Sequence, residues 1–472
     1  MDFLLIITNR NRNSMSRVKS SFFCFFLLIF LNVMAFAQTD TLGKKLLTYK
    51  IFLTWVEMEH PVAKQSGLFS VFADAEKQKA RGSFDPKLYY SINNKTFDQK
   101  NYYRFEQAAI NAPTWFGADI KVGYENNSGL YVNPEEKLPK DGLLYTQISV
   151  PLLQGLIIDE RRTAVRQAEV LQRMASTERQ LLLNELFSKA SKAYFQWQYA
   201  TLNLQVLQQA YDISKERYVA VTSAAKFGDR PYIDTVEAGI QLQDRLLMLQ
   251  QGELETMIAK NYVEAFLWHS DQVIQLEPYT QPEASVDFSG LNQWIATQGN
   301  NANGWQTENP TLKYYDFKRQ QLELDKRWKK EKLKPQLDLK YNPLYDAGNV
   351  RPDFTNNFKW GLSAQFPLFL RKERGDLRIT QMKLKQNRWE MDYKSADIGA
   401  RIKSHMNEWV SYRQQFELYG QNILNYERLW KSERKLFDNG ESTLFMINAR
   451  EISYMNARLK GNELLFKSYK AA

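Results

Sequence analysis

The stretch from Leu186 to Tyr211, LFSKASKAYFQWQYATLNLQVLQQAY, decides the fold of this chain. Apolar and small residues recur in it at alternating steps of four and three residues. They are Leu186, Ala190, Ala193, Trp197, Ala200, Leu204, Leu207 and Tyr211. This spacing is typical of a coiled-coil seam, the face along which one helix packs against another. It predicts a helix that neighbouring helices stabilise along its length.

The chain around this stretch contains no residue that would interrupt the helix. From Asp159 to Phe227 there is neither proline nor glycine, which predicts a helix of roughly 100 Å at about 1.5 Å per residue. The same seam returns later in the chain, at Ile398, Ile402, His405, Trp409, Tyr412, Phe416, Tyr419, Ile423, Tyr426 and Trp430. Because ordinary globular helices end after about 8–20 residues, the two segments predict a mainly helical fold.

Each long helix ends at a glycine. Gly228 follows the first in the sequence KFGDRP, and Gly440 follows the second in DNGEST. Glycine readily adopts the left-handed conformation that closes a helix. A second helical pattern follows each break, from Tyr232 to about Trp268 and from Leu444 to about Tyr469. The sequence therefore predicts two antiparallel helical hairpins.

The two hairpins belong to an internal duplication. Four landmarks occur twice in the same order: an Asn/His-Pro pair (60–61 and 309–310), a later proline (86 and 335), a seam tryptophan (197 and 409) and the turn glycine (228 and 440). The offset falls from 249 to 212 residues along the chain, because the first half carries a longer insert, Phe97 to Gly142. We predict a first repeat at 38–277, a linker at 278–307 and a second repeat at 308–472.

A short β segment precedes the helical hairpin in each repeat, at about 86–151 and 335–367. Strand composition and alternation mark residues 87–93, 119–124, 144–150, 336–341 and 359–366. Strands of about 9–11 residues cross a bilayer when they are tilted, although soluble β-hairpins would look similar. The insert adds either strands or an outer loop, so the sequence leaves the number of strands open.

The N-terminus predicts a secretory signal peptide, residues 1–37. Arg17 and Lys19 precede an apolar run from Phe22 to Val33, and Ala35-Phe36-Ala37 offers a cleavage site. The only cysteine, Cys24, lies in that run, so the mature chain has no disulfide. An uncleaved membrane anchor is the alternative, although the run is short for a spanning helix.

Composition argues against nucleic-acid binding and against catalysis. Loss of residues 1–37 lowers the formal charge from +10 to +7, and no basic run of the kind that binds nucleic acid remains. The three histidines, His60, His269 and His405, are isolated in sequence. Metalloprotease, nucleophile-elbow, phosphate-loop and dinucleotide motifs are absent. We therefore predict no catalytic, metal or cofactor residues.

The chain resembles the TolC family of outer-membrane efflux proteins from about residue 50 to residue 465. Four duplicated marks carry the resemblance: the Asn/His-Pro starts, the FDPKL and LKPQL entries to the strands, the VPLL and FPLF exits before arginine-rich helix starts, and the glycine turns. Around the first turn, Asp234 and Ala238 also match the family pattern, six and ten residues after Gly228.

The resemblance implies a homotrimer in outer-membrane lipid. Its transmembrane β-barrel would continue into a long periplasmic α-helical barrel, with two structural repeats in each chain. The assembly would be the passive exit duct of a tripartite efflux or secretion system, driven by an inner-membrane transporter through a periplasmic adaptor protein. A coiled-coil scaffold without a pore, in the periplasm or at the cell surface, is the alternative.

The resemblance also implies that the helix turns form a closable periplasmic tip. The candidate tip residues are Gly228, Asp234, Glu237, Gly440, Met446 and Arg450. Some family members place paired acids six and nine residues after the second glycine, where this chain has Met446 and Ala449. The first turn has Asp234 and Glu237 instead, so these acids are expected to line or latch the tip, with Arg450 pairing with an acid there. Ordinary surface charge is the alternative.

Overall fold

The computed structural model of the chain describes residues 45–290, 293, 304–350 and 355–472. The predicted signal peptide, with Cys24, lies outside these ranges, as does part of the predicted linker 278–307. The chain divides into two compact units. The sheet unit contains Gln65–Leu183 and Asn300–Arg401. The hairpin unit contains Asn184–Gly299, Ile402–Ala472 and the segment that ends at Lys64.

Helices make up most of the described chain. They are α1 (Tyr49–Glu59), α2 (Pro61–Arg81), α3 (Glu160–Lys226), α4 (Tyr232–Glu264), α5 (Gly304–Glu308), α6 (Pro310–Glu331), α7 (Arg371–Asp438) and α8 (Leu444–Ala471). The strands are β1 (Leu46–Leu47), β2 (Lys87–Phe97), β3 (Lys100–Pro113), β4 (Asp119–Ser128), β5 (Leu143–Pro151), β6 (Trp268–His269), β7 (Gln272–Val273), β8 (Gln281–Pro282), β9 (Gln336–Asp346) and β10 (Phe358–Gln365).

Two of the helices are very long, which confirms the prediction from the uninterrupted seams. Helix α3 has 67 residues and α7 has 68. Helix α3 begins where the Asp159 carboxylate accepts a hydrogen bond from the backbone N–H of Arg162, at 2.7 Å. This bond satisfies one of the amides that a helix start leaves without a partner.

The two seam tryptophans, Trp197 on α3 and Trp409 on α7, are almost completely buried. Two predicted seam positions, His405 and Tyr426, are wrong because both side chains are exposed. The His405 side chain is 57% exposed, and its Nδ1 lies 3.3 Å from a carboxylate oxygen of Glu408. An imidazole beside a carboxylate gains more from water than from an apolar seam.

Both helical hairpins are close-packed, and a glycine marks the contact in each. A Cβ atom added to Gly252 on α4 would lie 2.7 Å from a methyl carbon of Leu207 on α3. A Cβ added to Gly461 on α8 would lie 2.6 Å from a methyl carbon of Ile423 on α7. In the hairpin unit, therefore, α3 packs against α4 and α7 against α8.

The sheet unit contains a six-stranded antiparallel sheet in the order β10-β9-β5-β4-β3-β2. The predicted insert contributes to its size, because β3 and β4 lie within residues 97–142. The first half thus supplies four strands and the second half two. The β2–β3 turn uses Asp98 and Gln99, both with positive φ, as a tight hairpin turn requires.

Aromatic side chains form a core in the hairpin unit, beside the short parallel pair β1–β8. The Tyr194 hydroxyl is fully buried there, donates a hydrogen bond to the Leu47 carbonyl at 2.8 Å and accepts one from the Glu283 amide at 3.1 Å. The Phe52 ring stacks on the Tyr194 ring at a centroid distance of 5.4 Å. Backbone groups therefore supply both hydrogen-bond partners of the buried Tyr194 hydroxyl.

Candidate functional site

The six-stranded sheet has one apolar face and one polar face. Successive side chains of a strand point to opposite faces, and the register places most of the large apolar side chains of the six strands on one side. The exposed members of this face are Leu88, Tyr90, Ile92, Ile110, Val122, Ile148, Leu339, Phe358, Trp360 and Leu362. Leu88 is 80% exposed and Trp360 is 64% exposed. An apolar surface this wide requires a nonaqueous partner.

The opposite face carries amides, hydroxyls and charges. Gln107 donates hydrogen bonds to the Glu125 carboxylate at 2.7 Å and to the Tyr145 hydroxyl at 2.9 Å. The Lys121 ammonium lies over the rings of Tyr145 and Tyr89, at 5.5 and 5.7 Å. A hollow of about 820 Å³ lies over this part of the polar face. The polar face is therefore suited to water.

Polar and aromatic side chains flank the apolar face at its two ends. Toward the β2–β3 turn, Arg104 and Glu106 form an ion pair on the same face. At the end that leads into the helices, Trp115 and Phe116 are exposed in the connection between β3 and β4. Trp and other aromatic residues favour membrane–water boundaries.

The sheet has two open edges. Strand β2 pairs only with β3, and β10 pairs only with β9, among the described residues. Each edge strand presents unpaired backbone N–H and C=O groups, which form a template for another strand. Because the edges lie at opposite ends of the strand order, one copy can offer β2 to the β10 of a second copy.

The helical hairpins turn at Gly228 and Gly440 with the same backbone geometry. Their φ angles are +83° and +76°. After α3, the Asp229 amide donates to the Ala224 carbonyl at 3.0 Å, and after α7 the Glu441 amide donates to the Leu436 carbonyl at 2.8 Å. This arrangement is the Schellman motif, which requires a left-handed residue at the glycine position.

The two turns share one apolar cluster in the hairpin unit. Val221, Ala238, Phe437, Leu444 and Ile447 pack together there and are all buried. They come from α3, α4, α7 and α8, so the four helices meet at this point. The cluster fixes the ends of both hairpins relative to each other.

A buried polar network lies next to this cluster. The Arg217 guanidinium donates hydrogen bonds to Glu451 and to the Asn448 side-chain carbonyl. The Asn448 amide in turn donates to the Glu237 carboxylate at 3.2 Å. A second guanidinium, that of Arg245, lies 3.9 Å from the Glu451 carboxylate. The network joins α3, α4 and α8.

The network is electrostatically crowded. Burial, followed by the positive charges of Arg245 and Arg434, lowers the pKa of Arg217 to about 10. Burial also lowers the pKa of Arg245. Arg217 therefore stays charged near neutral pH, and Glu451 is the carboxylate that faces both guanidinium groups.

The structure places the predicted tip residues in separate contacts around this network. The Asp234 carboxylate lies 3.6 Å from the Arg230 guanidinium. Arg450 lies 3.9 Å from Glu433. Met446 is partly exposed in the first turn of α8, and its amide donates to the Thr443 hydroxyl at 3.3 Å. Asp234 and Arg450 thus have different partners.

Sequence reasoning missed the central members of the network, Arg217, Arg245 and Glu451. One signal for Glu451 was available. Ile447, Glu451 and Met455 follow one another at steps of four residues on α8, and all three are buried. A carboxylate in the middle of such an apolar row needs a buried positive partner.

Two kinds of feature are absent from the described residues. None of the helices described is both long enough and apolar enough to cross a membrane. In the same ranges, no three His, Cys, Asp or Glu side chains lie close enough together to hold a metal ion.

No family model and no curated protein matches the sequence. Solved structures do match the fold over 89% of this chain. The CmeC outer membrane channel of Campylobacter jejuni is 13% identical, with 83% of its chain covered and a TM-score of 0.61. The outer membrane protein VceC of Vibrio cholerae is 11% identical, with 93% covered and a TM-score of 0.61. The MtrE outer membrane channel of Neisseria gonorrhoeae, in its open state, is 12% identical, with 87% covered and a TM-score of 0.59.

These similarities extend through most of both chains in each pair, so they concern the whole architecture and not one helical hairpin. Identities near one residue in ten leave only the fold in common. The long helices and the β segments that the sequence predicted are both present, and the chain has the fold of the TolC-type outer-membrane channels.

Proposed function

We propose that this protein is an outer-membrane exit duct of a tripartite efflux or secretion system. It is a passive conduit that an inner-membrane transporter drives through a periplasmic adaptor protein. The sheet lies in the outer membrane and the long helices lie in the periplasm. The fold shared with outer-membrane channels supports this assignment.

The two-faced sheet is the observation that carries the proposal. Its apolar face spans all six strands and is exposed, whereas its opposite face is polar. A transmembrane barrel needs apolar side chains toward lipid and polar side chains toward the lumen. A soluble coiled-coil scaffold has no use for a wide apolar sheet of this kind.

The open edges support assembly from several copies. In lipid every backbone polar group must be paired, so a six-stranded sheet cannot stay open at β2 and β10. Three copies that pair β2 with the next β10 close a barrel of three times six, or eighteen, strands. A barrel of about that size encloses an aqueous channel.

The helix turns are the closable entrance in this proposal. Gly228 and Gly440 end the hairpins, and the buried network of Arg217 and Glu451 holds their helices together. Asp234, Glu237, Met446 and Arg450 lie around the two turns, where they line or latch the entrance. Opening is a change of helix packing that adaptor contact favours.

The test is to image the particle purified from a Gram-negative outer membrane and to cross-link its strand edges. Cysteines at Ser91 on β2 and Ser363 on β10 are on the polar face of the sheet. In a Cys24→Ser background, oxidation of the S91C/S363C variant should give covalent dimers and trimers. Because β2 of one copy can pair with β10 of the next in more than one register, S91C is also combined with G361C and with Q365C, which lie two residues to either side of Ser363.

The matched control places the two cysteines on opposite faces, as in S91C/L362C, and should not cross-link. A hollow trimer with cross-linked edges supports the duct. A monomer, or a solid rod without a lumen, contradicts it and favours the coiled-coil scaffold.

A further inference from the structure

On the polar face of the sheet, one row of side chains across the strands contains only lysines and neutral amides. The register aligns Lys87 on β2, Asn111 on β3, Lys121 on β4 and Gln147 on β5. Asn342 stands at the corresponding position of β9, one residue from the Tyr341–Ile148 pair, and Lys359 of β10 pairs with Asn342. The row crosses all six strands with three lysines and no carboxylate.

We infer that this lysine row binds anionic solutes on their way through the barrel, so that the cargo class includes multiply charged anions. The inference rests on the proposed duct, because only in a closed barrel does the polar face line a lumen. Three copies would place nine lysines around that lumen, as three rings of three at successive depths, because the strands of a barrel tilt by about 35–45°.

On the side of the β2–β3 turn, the neighbouring rows of side chains do not neutralise the lysines. The next row in that direction contains Tyr89 and Tyr145 and no charge. Glu125 is four residues from Lys121 along β4, a distance of about 13 Å at about 3.3 Å per residue. This exceeds the screening length of about 8 Å in physiological salt. Glu125 also accepts a hydrogen bond from Gln107.

On the helix side, the nearest acid is already paired. Asp119 lies two residues from Lys121, but its carboxylate accepts a hydrogen bond from the Arg161 guanidinium at 3.0 Å. Lys340 stands in the same row as Asp119 and adds a positive charge. Asp338 is two residues further from the lysine row, again at about 13 Å.

The central lysine is also held in place. The ammonium of Lys121 lies between the rings of Tyr89 and Tyr145, at 5.7 and 5.5 Å from their centroids. These contacts stabilise the cation without removing its charge. Asn111 and Gln147 flank it with amide N–H donors, which can share an anion with an ammonium group. Rings of lysine are a known basis of anion selectivity in pores.

The experiment is a fluorescence-anisotropy titration of pyranine, a trisulfonated pyrene, with the purified detergent particle. It is run at about 10 mM salt, where the screening length is about 30 Å, and again at about 150 mM. The K87Q/K121Q/K359Q variant should bind at least about fivefold more weakly than the natural chain at low salt. The control K50Q/K79Q/K189Q removes three exposed helix lysines and should change binding less than about twofold.

Images of the same samples separate the two proposals. If the triple variant is a hollow trimer that binds pyranine as well as the natural chain does, the lysine-row inference is wrong and the duct proposal stands. The inference is also wrong if both triple variants lose affinity equally, or if a tetracationic porphyrin binds as tightly as pyranine. A particle without a lumen overturns both proposals.

Discussion

Arg217 on α3 and Glu451 on α8 form an ion pair in which the two side chains are only 8% and 5% exposed. A second guanidinium, that of Arg245, faces the same carboxylate at 3.9 Å. One buried acid therefore compensates two buried bases, and it does so beside the turns of both helical hairpins. Glu451 is the residue on which the electrostatic balance of this region depends.

Replacing Glu451 with Gln should destabilise the protein strongly. The substitution leaves the buried Arg217 and Arg245 without their ion-pair partner, and loss of one partner of a buried pair costs about 3–5 kcal/mol. Urea or thermal unfolding in detergent measures the loss. Glu441→Gln, which removes an exposed acid at the second turn, is the control and should change stability by less than about 0.5 kcal/mol. Equal losses in the two variants would show that Glu451 has no special role.

Charge reversal at Arg450 should increase the open time of the channel in planar bilayers. Arg450 lies 3.9 Å from Glu433, whose carboxylate also accepts a hydrogen bond from Ser442 at the turn. Arg450→Glu converts this attraction between α7 and α8 into repulsion, and Arg450→Glu with Glu433→Arg restores it. The single variant should conduct more and the double variant should return toward the natural chain. Asp234→Arg tests the first turn in the same assay. Unchanged currents in all variants would refute a latch at the turns.

Alanine at either turn glycine should lower stability by about 1–2 kcal/mol, the usual cost of a left-handed conformation for a residue with a Cβ. Gly228 and Gly440 have positive φ, and a Cβ at either would meet no atom within 4 Å. The cost is therefore purely conformational. Gly420→Ala, in the interior of α7, is the control and should raise stability by about 0.5–1 kcal/mol. Steric effects alone would give all three variants the same small change.

Stability should fall as the pH rises above 10, and Tyr194 should account for part of the loss. Burial raises the pKa of the Tyr194 hydroxyl above its usual value of 10.0. Above pH 10 the unfolded chain releases this proton and the folded chain keeps it, so the free energy of unfolding decreases by up to about 1.4 kcal/mol per pH unit.

Unfolding of Tyr194→Phe should consequently show a weaker dependence on pH between 10 and the folded pKa, although the variant is less stable at neutral pH. Tyr232→Phe, at a highly exposed position, is the control and should keep the slope of the natural chain. The same slope in both variants would show that Tyr194 ionises as easily in the folded protein as in the unfolded one.

The long helices could be predicted from the sequence because their signal is repeated many times. The absence of proline and glycine from 159–227 agrees with α3, Glu160–Lys226, to within one residue at each end. The left-handed turns at Gly228 and Gly440 follow from the same reasoning. Each of these features depends on local rules, helix periodicity and capping, which act within a few residues.

Strand β3 could not be recognised in the same way. It is the longest strand, at 14 residues, but its alternation is masked by Ala108, Ala109 and Ala112 and by the Arg104–Glu106 pair on its apolar face. Its hairpin turn, Asp98-Gln99, also lacks the glycine that usually marks such turns.

The buried polar network could not be predicted from the sequence for another reason. Its residues are 234 positions apart in the case of Arg217 and Glu451, and periodicity carries no information about such partners.

The two open edges of the sheet have a genetic consequence. If every barrel takes strands from three copies, a chain that folds but cannot pair through β2 or β10 prevents closure of every barrel that it joins. When such a chain is made in equal amount with the intact one, random mixing leaves only about one trimer in eight free of it. A lesion confined to an edge strand should therefore be dominant over the normal allele, whereas a chain that never folds should be recessive.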